Sequence, residues 1–143
     1  MNISAEGKSL IRSFEGCRLS AYLDSAGVPT IGWGRTKGVK MGDTCTQQQA
    51  DAWFDEELPE YEGYINDMVT VPLEQHQFDA LVSWVYNLGP ANFGQSTLLK
   101  RLNAGDFIGT AAEFRKWNRA GGVELPGLTR RRMAERAMFM GLA

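Results

Sequence analysis

Cysteine and histidine are scarce in this sequence of 143 residues. Two cysteines and one histidine are too few for a disulfide framework or a closed zinc site. We therefore expect no metal and no other cofactor. Cys17 and Cys45 are interpreted as free thiols in a reducing compartment, with nothing local to bring them together. His76 falls near the start of a predicted helix and is assigned no role.

Long hydrophobic runs are also missing. No stretch reaches the ~18 apolar residues that a membrane-spanning helix needs, and Glu6 and Lys8 interrupt the region where a signal peptide would be apolar. With 43% hydrophobic and 22% charged residues, the composition is that of a soluble globular protein. We expect a monomer without an export signal or stable membrane association, forming a single domain over residues 1–143.

A strong net charge is absent, but the two ends of the chain differ. The formal net charge is −2, with six bases and thirteen acids in residues 1–99 and nine bases and four acids in residues 100–143. The basic third could lie against an anionic polymer, either nucleic acid or an acidic cell-wall glycan. The run from Arg130 to Arg132 falls inside a helical pattern, where a solvated or salt-bridged helix face is the simpler interpretation.

The spacing of apolar residues predicts a mostly helical α+β protein. Ser4 caps a predicted helix over residues 5–14, and residues 18–34 predict a small hairpin or three-stranded sheet that continues weakly to about residue 43. Thr46 and Gln49 form a capping box for a helix to about residue 58. The rest is predicted to be helical, with breaks at Pro59 and at Gly89-Pro90 and a glycine-rich turn at Gly121-Gly122. These further helices cover about residues 61–68, 73–88, 96–102, 108–117 and 129–140.

This order of elements predicts two lobes with a groove between them. The N-terminal lobe covers about residues 15–58 and contains the hairpin. The C-terminal lobe is all-helical, covers about residues 70–143 and packs with helix 5–14. A groove between lobes is the usual place for an extended ligand.

Three side chains can fold towards that groove from a helix end, a turn and a strand: Glu15, Asp24 and Thr30. Hydrolysis of a glycosidic bond needs a carboxylic acid that protonates the leaving oxygen and a second polar or anionic group on the opposite face of the sugar. Glu15 suits the first role and Asp24, in an open turn, the second. Among 17 acids such pairs are common. An ordinary turn residue at Asp24 and an ordinary strand residue at Thr30 therefore stay open as alternatives.

Nearly the whole chain resembles the phage-type lysozymes, the endolysin or muramidase family of glycoside hydrolases. The likeness begins with LIRSFEGCRLSAYLD at residues 10–24 and GVPTIGWG at residues 27–34. There, Glu15, Asp24 and Thr30 are separated by eight and five residues, which is the family's catalytic spacing. The likeness to the family continues through residues 77–89, 96–99, 117, 120–122 and 127–132.

The resemblance implies a lysozyme-like fold and a hydrolase that cuts the β-1,4 bond between N-acetylmuramic acid and N-acetylglucosamine in peptidoglycan. Glu15 would be the general acid, while Asp24 and Thr30 would position the attacking water and stabilise the oxocarbenium-like transition state, with inversion at the anomeric carbon. Arg130 or Arg131 would meet carboxylates of the substrate. The resemblance implies Asn87, Ser96 and Thr129 as substrate-binding residues. Trp33 and Tyr86 are predicted to join them because flat rings cover the apolar faces of sugars, with simple core packing as the open alternative.

Family context also implies how such an enzyme reaches its substrate. It would accumulate in the host cytoplasm and reach the cell wall after a separate holin permeabilises the membrane. The expected partner is the peptidoglycan glycan strand rather than nucleic acid. Two alternatives remain: a catalytically silent relative that binds glycan or a partner protein, and a nucleic-acid-binding protein, which only the charge of the last third favours.

One position departs from the family pattern. The family usually has histidine after the Gly-x-Gly of the hairpin, whereas this chain has Arg35 after Gly32-Trp33-Gly34. In relatives that histidine can form a buried ion pair that ties the lobes together. Because arginine keeps its charge, an equivalent pair here should not titrate near neutral pH. The acids between Asp55 and Asp79 are the candidate partners.

Overall fold

The structure, a computed structural model, describes residues 1–142, in which seven α-helices and two small antiparallel sheets are present. The helices are α1 Ala5–Glu15, α2 Gln47–Met68, α3 Gln75–Leu88, α4 Pro90–Gln95, α5 Thr97–Asn103, α6 Phe107–Glu113 and α7 Pro126–Phe139, with a 3₁₀ turn at Phe114–Lys116. The strands are β1 Arg18–Leu23, β2 Pro29–Gly32, β3 Arg119–Ala120 and β4 Val123–Glu124. This confirms the predicted mostly helical α+β class. None of the described helices is long and apolar enough to cross a membrane.

The first helix packs against the C-terminal lobe. Ser4 caps α1 by accepting a hydrogen bond from the Gly7 N–H, and its own backbone N–H donates to Asp79 Oδ1 of α3 at 3.0 Å. Gly7 is required at this contact, because a Cβ there would lie 2.8 Å from the side chain of Asp79. The helix therefore ends, at Glu15, on the boundary between the lobes.

The hairpin of the N-terminal lobe forms as predicted. Strands β1 and β2 are antiparallel, with Tyr22 opposite Thr30. The turn between them is closed by Asp24, whose Oδ1 accepts the backbone N–H groups of Ala26 and Val28, both at 2.9 Å. This turn chemistry is typical of aspartate, and it places the Asp24 side chain at the open end of the hairpin.

A third extended segment covers the other edge of β1. Thr44 pairs with Ser20, and the Cys45 N–H donates to the Leu19 carbonyl at 2.8 Å. Cys17 and Cys45 are both free, as predicted. The expectation that nothing local brings them together was wrong, because this pairing sets Cys45 beside β1 in the neighbourhood of Cys17. Burial, followed by the nearby Cys17, raises the pKa of the Cys45 thiol.

The predicted break at Pro59 was wrong. The capping box of Thr46 and Gln49 is present, but the helix that it begins runs through Pro59 to Met68, over 22 residues. Proline blocks one backbone hydrogen bond in a helix interior. Here it lies on the exposed side of α2, while Leu58 and Ile65 are buried. We attribute the continuity of the helix to this packing.

The core of the molecule surrounds α3. This helix begins with a capping box formed by Glu74 and Gln77, and every residue from Phe78 to Val85 is buried. It contacts α1, α2, α4 and α7. Several aromatic residues of the core are fully buried, whereas Trp53 and Trp117 are half-buried. The buried aromatic residues include Phe54, Phe78, Trp84 and Phe114.

The C-terminal lobe is not all-helical, and in this respect the prediction was wrong. Strands β3 and β4 form a two-stranded hairpin around Gly121 and Gly122, whose φ angles are +58° and +80°. Two successive residues in the left-handed region suit the tight turns that join antiparallel strands. An unpredicted short helix, α4, also begins at Pro90, where the missing N–H of proline costs nothing.

Candidate active site

A cleft between the lobes brings Glu15, Asp24 and Thr30 together with Tyr86 and Asn87. These five residues line one cavity of about 430 Å³. A second cavity of about 610 Å³ lies towards α7. Because Glu15 and Asn87 line both cavities, the two cavities join into one groove that passes over the Glu15 carboxylate. A groove of this kind suits an extended ligand.

The Glu15 carboxylate is held from two sides. Its Oε2 atom lies 2.7 Å from Nη1 of Arg131 in α7, and 16% of the Glu15 side chain is exposed. On the other side is Gly34, where an added Cβ would lie 2.9 Å from Glu15 Oε1. The acid therefore sits between the last long helix and the loop after β2.

Asp24 and Thr30 form the opposite wall. The turn uses only Oδ1 of Asp24, which leaves Oδ2 for another donor. The Thr30 hydroxyl donates to the Val28 carbonyl at 2.8 Å, and only 4% of Thr30 is exposed. Since the backbone of the turn fixes both side chains, the wall presents oriented oxygen atoms to the cavity.

Tyrosine rings form much of the remaining surface. The Tyr86 hydroxyl donates to the Trp33 carbonyl at 2.5 Å, and its ring centroid lies 4.8 Å from that of Tyr61. Burial raises the pKa of Tyr86 strongly, and the nearby Glu15 raises it further. Burial also raises the pKa of Tyr61, to about 12. Both rings are therefore neutral. Three of the lining tyrosines were missed by the sequence analysis: Tyr22, Tyr61 and Tyr64.

Three residues implied as substrate contacts lie outside both cavities. The Trp33 indole N–H donates to Asp51 at 2.8 Å, and its ring packs against the hydrophobic core. Ser96 is buried and caps α5 by accepting the Leu99 N–H at 3.0 Å. Thr129 lies in α7 and accepts a hydrogen bond from the Asn118 amide at 3.0 Å. All three side chains therefore make hydrogen bonds within the protein that contribute to its structure.

The arginine run of α7 was predicted to be a solvated or salt-bridged face, and Arg131 and Arg132 are salt-bridged and buried. Arg130 is exposed, but only 3% of Arg131 and 0% of Arg132 are exposed, and both contact the fully buried Glu135. Burial alone would lower the pKa of Arg131, but the carboxylates of Glu15 and Glu135 outweigh burial and raise it. Arg131 therefore contacts Glu15 from inside the protein, and Arg130 and Arg131 both line the second cavity.

Arg35 forms the ion pair expected at its position. Its Nη1 atom lies 2.9 Å from Glu57 Oε1, within the predicted interval of partners, and its guanidinium lies 4.7 Å from the ring centroid of Trp53. Burial raises the pKa of Glu57 despite the opposing charge of Arg35. The pair joins the loop after β2 to α2.

No group of three or more His, Cys, Asp or Glu side chains in residues 1–142 is placed to hold a metal ion. The chemical groups that line the cleft are carboxylates, hydroxyls, an amide, aromatic rings and the basic groups of Lys37, Arg130 and Arg131. This set suits acid–base chemistry on a carbohydrate.

Comparison with known proteins agrees with this arrangement. The family model Phage lysozyme matches residues 12–135. An endolysin of Acyrthosiphon pisum secondary endosymbiont phage 1 is 46% identical over 143 residues, covering 97% of this chain and 98% of the relative. A SAR-endolysin of Enterobacteria phage P21 is 37% identical over 127 residues, covering 88% of this chain and 77% of the relative.

A solved structure agrees equally well. The endolysin from Escherichia coli O157:H7 phage FAHEc1 aligns with a TM-score of 0.88 at 39% identity, covering 98% of this chain and 94% of that one. Fold and cleft together define a glycoside hydrolase of the lysozyme type. The chain belongs to the phage lysozyme family, and it is a muramidase endolysin that acts on the peptidoglycan of the bacterial cell wall.

Proposed function

We propose that Glu15 is the general acid of this muramidase and that Asp24 and Thr30 hold the attacking water. One observation carries the proposal: the three side chains converge on one cavity from α1, the turn after β1, and β2. Their chemistry matches the two roles that glycosidic hydrolysis requires, a proton donor and a group that directs water to the anomeric carbon.

The reaction follows from this placement. Protonated Glu15 gives its proton to the oxygen that bridges N-acetylmuramic acid and N-acetylglucosamine, and the bond from the anomeric carbon to that oxygen breaks. A water held by Asp24 Oδ2 and the Thr30 hydroxyl adds to the anomeric carbon from the opposite face. Its second proton passes to Asp24, and the product has inverted configuration.

We further propose that Tyr86 and Asn87 bind the sugars beside the scissile bond. Both line the groove next to Glu15. Aromatic rings cover the apolar faces of sugars, and an amide hydrogen-bonds N-acetyl and hydroxyl groups.

Replacing Glu15 with glutamine tests the role of the acid. The amide keeps the shape of the side chain but cannot deliver a proton, so lysis of chloroform-permeabilised Gram-negative cells should fall by a factor of about 10²–10⁴. Thermal stability should stay nearly unchanged, because Arg131 keeps Glu135 and the Ser83 carbonyl as partners. The matched control is Glu6→Gln, an exposed acid at the other end of α1, which should lyse cells normally. Near-normal activity of Glu15→Gln would place the acid elsewhere.

The chemistry of the products tests the role of water. Hydrolysis leaves a reducing sugar with inverted configuration, whereas a lytic transglycosylase leaves a non-reducing anhydro-sugar. Mass spectrometry and early proton NMR of digested peptidoglycan separate these outcomes. Anhydro-products would refute the water-positioning role of Asp24 and Thr30.

We infer from family membership that the enzyme accumulates in the host cytoplasm and reaches the wall through a holin. The support is the name endolysin carried by relatives that match nearly the whole chain. Expression in Escherichia coli with and without a co-expressed holin tests this. Lysis should require the holin, and lysis by the enzyme alone would overturn the inference.

A further inference from the structure

A fully buried carboxylate, Glu135, lies behind the cleft. The Ser83 hydroxyl donates to its Oε2 atom at 2.6 Å, and Arg131 Nε donates to the same oxygen at 3.2 Å. Its Oε1 atom lies 2.8 Å from Arg132 Nε, although off the hydrogen-bonding direction. A buried carboxylate with this many partners has a single orientation, and that orientation fixes two arginines.

One branch of this network leads to the general acid. Arg131 donates through Nε to Glu135, through Nη2 to the Ser83 carbonyl at 3.1 Å, and through Nη1 to Glu15 at 2.7 Å. A guanidinium is planar and rigid. With two of its nitrogen atoms held in the core, the third has one direction left, which is towards the Glu15 carboxylate.

The other branch leads to the neighbouring amide. Arg132 Nη2 donates to Glu135 Oε2 at 3.2 Å and to Asn87 Oδ1 at 2.9 Å. Because the oxygen of the Asn87 side chain is occupied inside the protein, its NH₂ group is the part that faces the groove. The same buried carboxylate therefore orients two residues that line the cleft.

The charges of the network bear on proton transfer. With Glu15 protonated, as a general acid must be, two arginines face one carboxylate and the cluster has a net charge of +1. Without Glu135 the net charge would be +2. Positive charge beside a carboxyl group favours its ionised form, and Glu135 offsets one of the two positive charges beside Glu15.

The other groups around Glu15 do not replace this charge. The tyrosines that face it are neutral at neutral pH, and Asp24 belongs to the far wall, where it holds water in the proposed reaction. The titratable and charged groups of the surrounding elements are Tyr22 of β1, Asp24 of the turn, Lys37 of the loop after β2, Glu60, Tyr61 and Tyr64 of α2, Tyr86 of α3, and Arg130, Arg131 and Arg132 of α7. Lys37 and Glu60 pair with each other at 2.8 Å, so their charges cancel.

We propose that Glu135 is a positioning residue for the reaction, which fixes Arg131 against Glu15 and Arg132 against Asn87 and offsets one of the two positive charges beside the acid. The proposal rests on the role of Glu15 as the acid. No contact with substrate is involved, since Glu135 is fully buried.

The variant Glu135→Gln keeps the shape of the side chain and removes its charge. Activity of the full chain on soluble peptidoglycan fragments should be measured from pH 4 to pH 9. We expect kcat at neutral pH to fall by about tenfold or more, with a smaller change in KM. The basic limb of the profile should move to lower pH by about one unit, the size of effect that a nearby charge has on a carboxyl group.

The matched control is Glu113→Gln. Glu113 is also buried, with 5% exposed, and pairs with Arg101 at 3.4 Å and Lys116 at 2.6 Å, outside the cleft. Both variants lose a buried partner of basic side chains, so both should lower Tm. Only Glu135→Gln should move the pH profile. A profile that stays in place in folded Glu135→Gln overturns the proposal.

A milder variant covers the case in which Glu135→Gln fails to fold. Ser83→Ala removes one hydrogen bond to Glu135 and leaves every charge, so kcat should fall with the profile in place; an unchanged kcat contradicts the positioning role. Carbon NMR of the Glu15 carboxyl reads its titration without activity. If the titration shifts in Glu135→Gln but Glu15→Gln stays active, the proposed acid is wrong while the effect of Glu135 stands.

Discussion

At the residue scale, the absence of a side chain at Gly34 is as important as the acid beside it. Gly34 has φ +96°, and an added Cβ would lie 2.9 Å from Glu15 Oε1. Gly38, four residues later, has φ +67° with nothing within 4 Å of an added Cβ. A substitution at either glycine strains the backbone, but only a side chain at Gly34 would also displace the Glu15 carboxylate. Comparing variants at the two positions therefore distinguishes the two effects.

We predict that Gly34→Ala loses most of its activity and Gly38→Ala does not. Both should lose about 1–2 kcal/mol of stability, because alanine is strained in the left-handed region. Only Gly34→Ala moves Glu15, and a displacement of about 1 Å can cost ~10²-fold in rate. Lysis rates and denaturant unfolding of both variants provide the measurement. Equal activities would mean that Glu15 adapts without loss.

Arg35 and Glu57 make a second residue-scale comparison. Arginine stays charged throughout the neutral range, whereas a histidine paired with Glu57 would have a folded pKa above its unfolded value of ~6.5. The stabilisation from such a histidine pair is present below about pH 6.5 and is lost as the pH rises through the raised folded value. The arginine pair does not lose its cation in this way.

We therefore predict that the stability difference between the wild type and Arg35→His widens by about 1 kcal/mol between pH 6 and pH 8. Urea unfolding at several pH values measures it. The control is Lys37→His at the neighbouring pair with Glu60, which is 2.8 Å long but more exposed, and should show a much smaller pH dependence. A flat difference for Arg35→His would show that the pair adds nothing to stability.

The sequence showed only part of the site, for a physical reason. The residue types and spacing of Glu15, Asp24 and Thr30 are local and can be compared with a family pattern. Arg131 meets Glu15 across 116 positions, and a run of arginines on its own favours solvent. Its burial depends on Ser83 and on Glu135, which the fold alone places beside it. The one signal in the sequence was the i, i+4 spacing of Arg131 and Glu135, which is typical of an ion pair on a helix. It gave no indication of the contact between Arg131 and Glu15.

At the scale of elements, signals carried by a few adjacent residues predicted most of the boundaries. Ser4 and the capping box of Thr46 and Gln49 begin α1 and α2 as expected. Strands β3 and β4 have two residues each, which is too short for an alternating pattern, so only the turn at Gly121 was visible. Pro59 was predicted to end its helix, but α2 continues through it because of tertiary packing. A local sequence pattern does not show such packing.

We predict that Pro59→Ala stabilises the protein. Alanine restores the backbone hydrogen bond that an interior proline blocks, and since the helix already tolerates Pro59, the gain should be about 1 kcal/mol rather than the full cost of ~3 kcal/mol. Thermal unfolding should show Tm higher by a few degrees.

The control for this change is Pro126→Ala, at the first turn of α7. Proline is favoured there, because that N–H has no partner within the helix. Tm should stay level or fall in Pro126→Ala. A lower Tm for Pro59→Ala would mean that the proline ring itself contributes to the packing of α2.

At the scale of the whole molecule, the two lobes differ in their share of the core. Within residues 16–46 only Thr30, Ile31 and Gly32 are buried, whereas α3 is buried from Phe78 to Val85. Segments with few buried apolar contacts open at lower free energy than the global unfolding of the protein. The N-terminal wall of the cleft should therefore open independently of the C-terminal lobe.

Hydrogen exchange provides the test. We predict that amides of β1 and β2 exchange faster than those of α3 by about tenfold or more, through opening of the N-terminal lobe. Exchange followed by mass spectrometry resolves these segments. Equal protection in both lobes would indicate that the molecule unfolds as one unit.

The pairing of Glu15 with Arg131 also sets the order of events during synthesis. The acid leaves the ribosome early, but its partner is made 116 residues later. Until α7 emerges from the exit tunnel, Glu15 has no guanidinium beside it and α3 lacks one of the helices that cover it. A nascent chain therefore has no complete site, and the capacity to cut the wall arises only once α7 has been made.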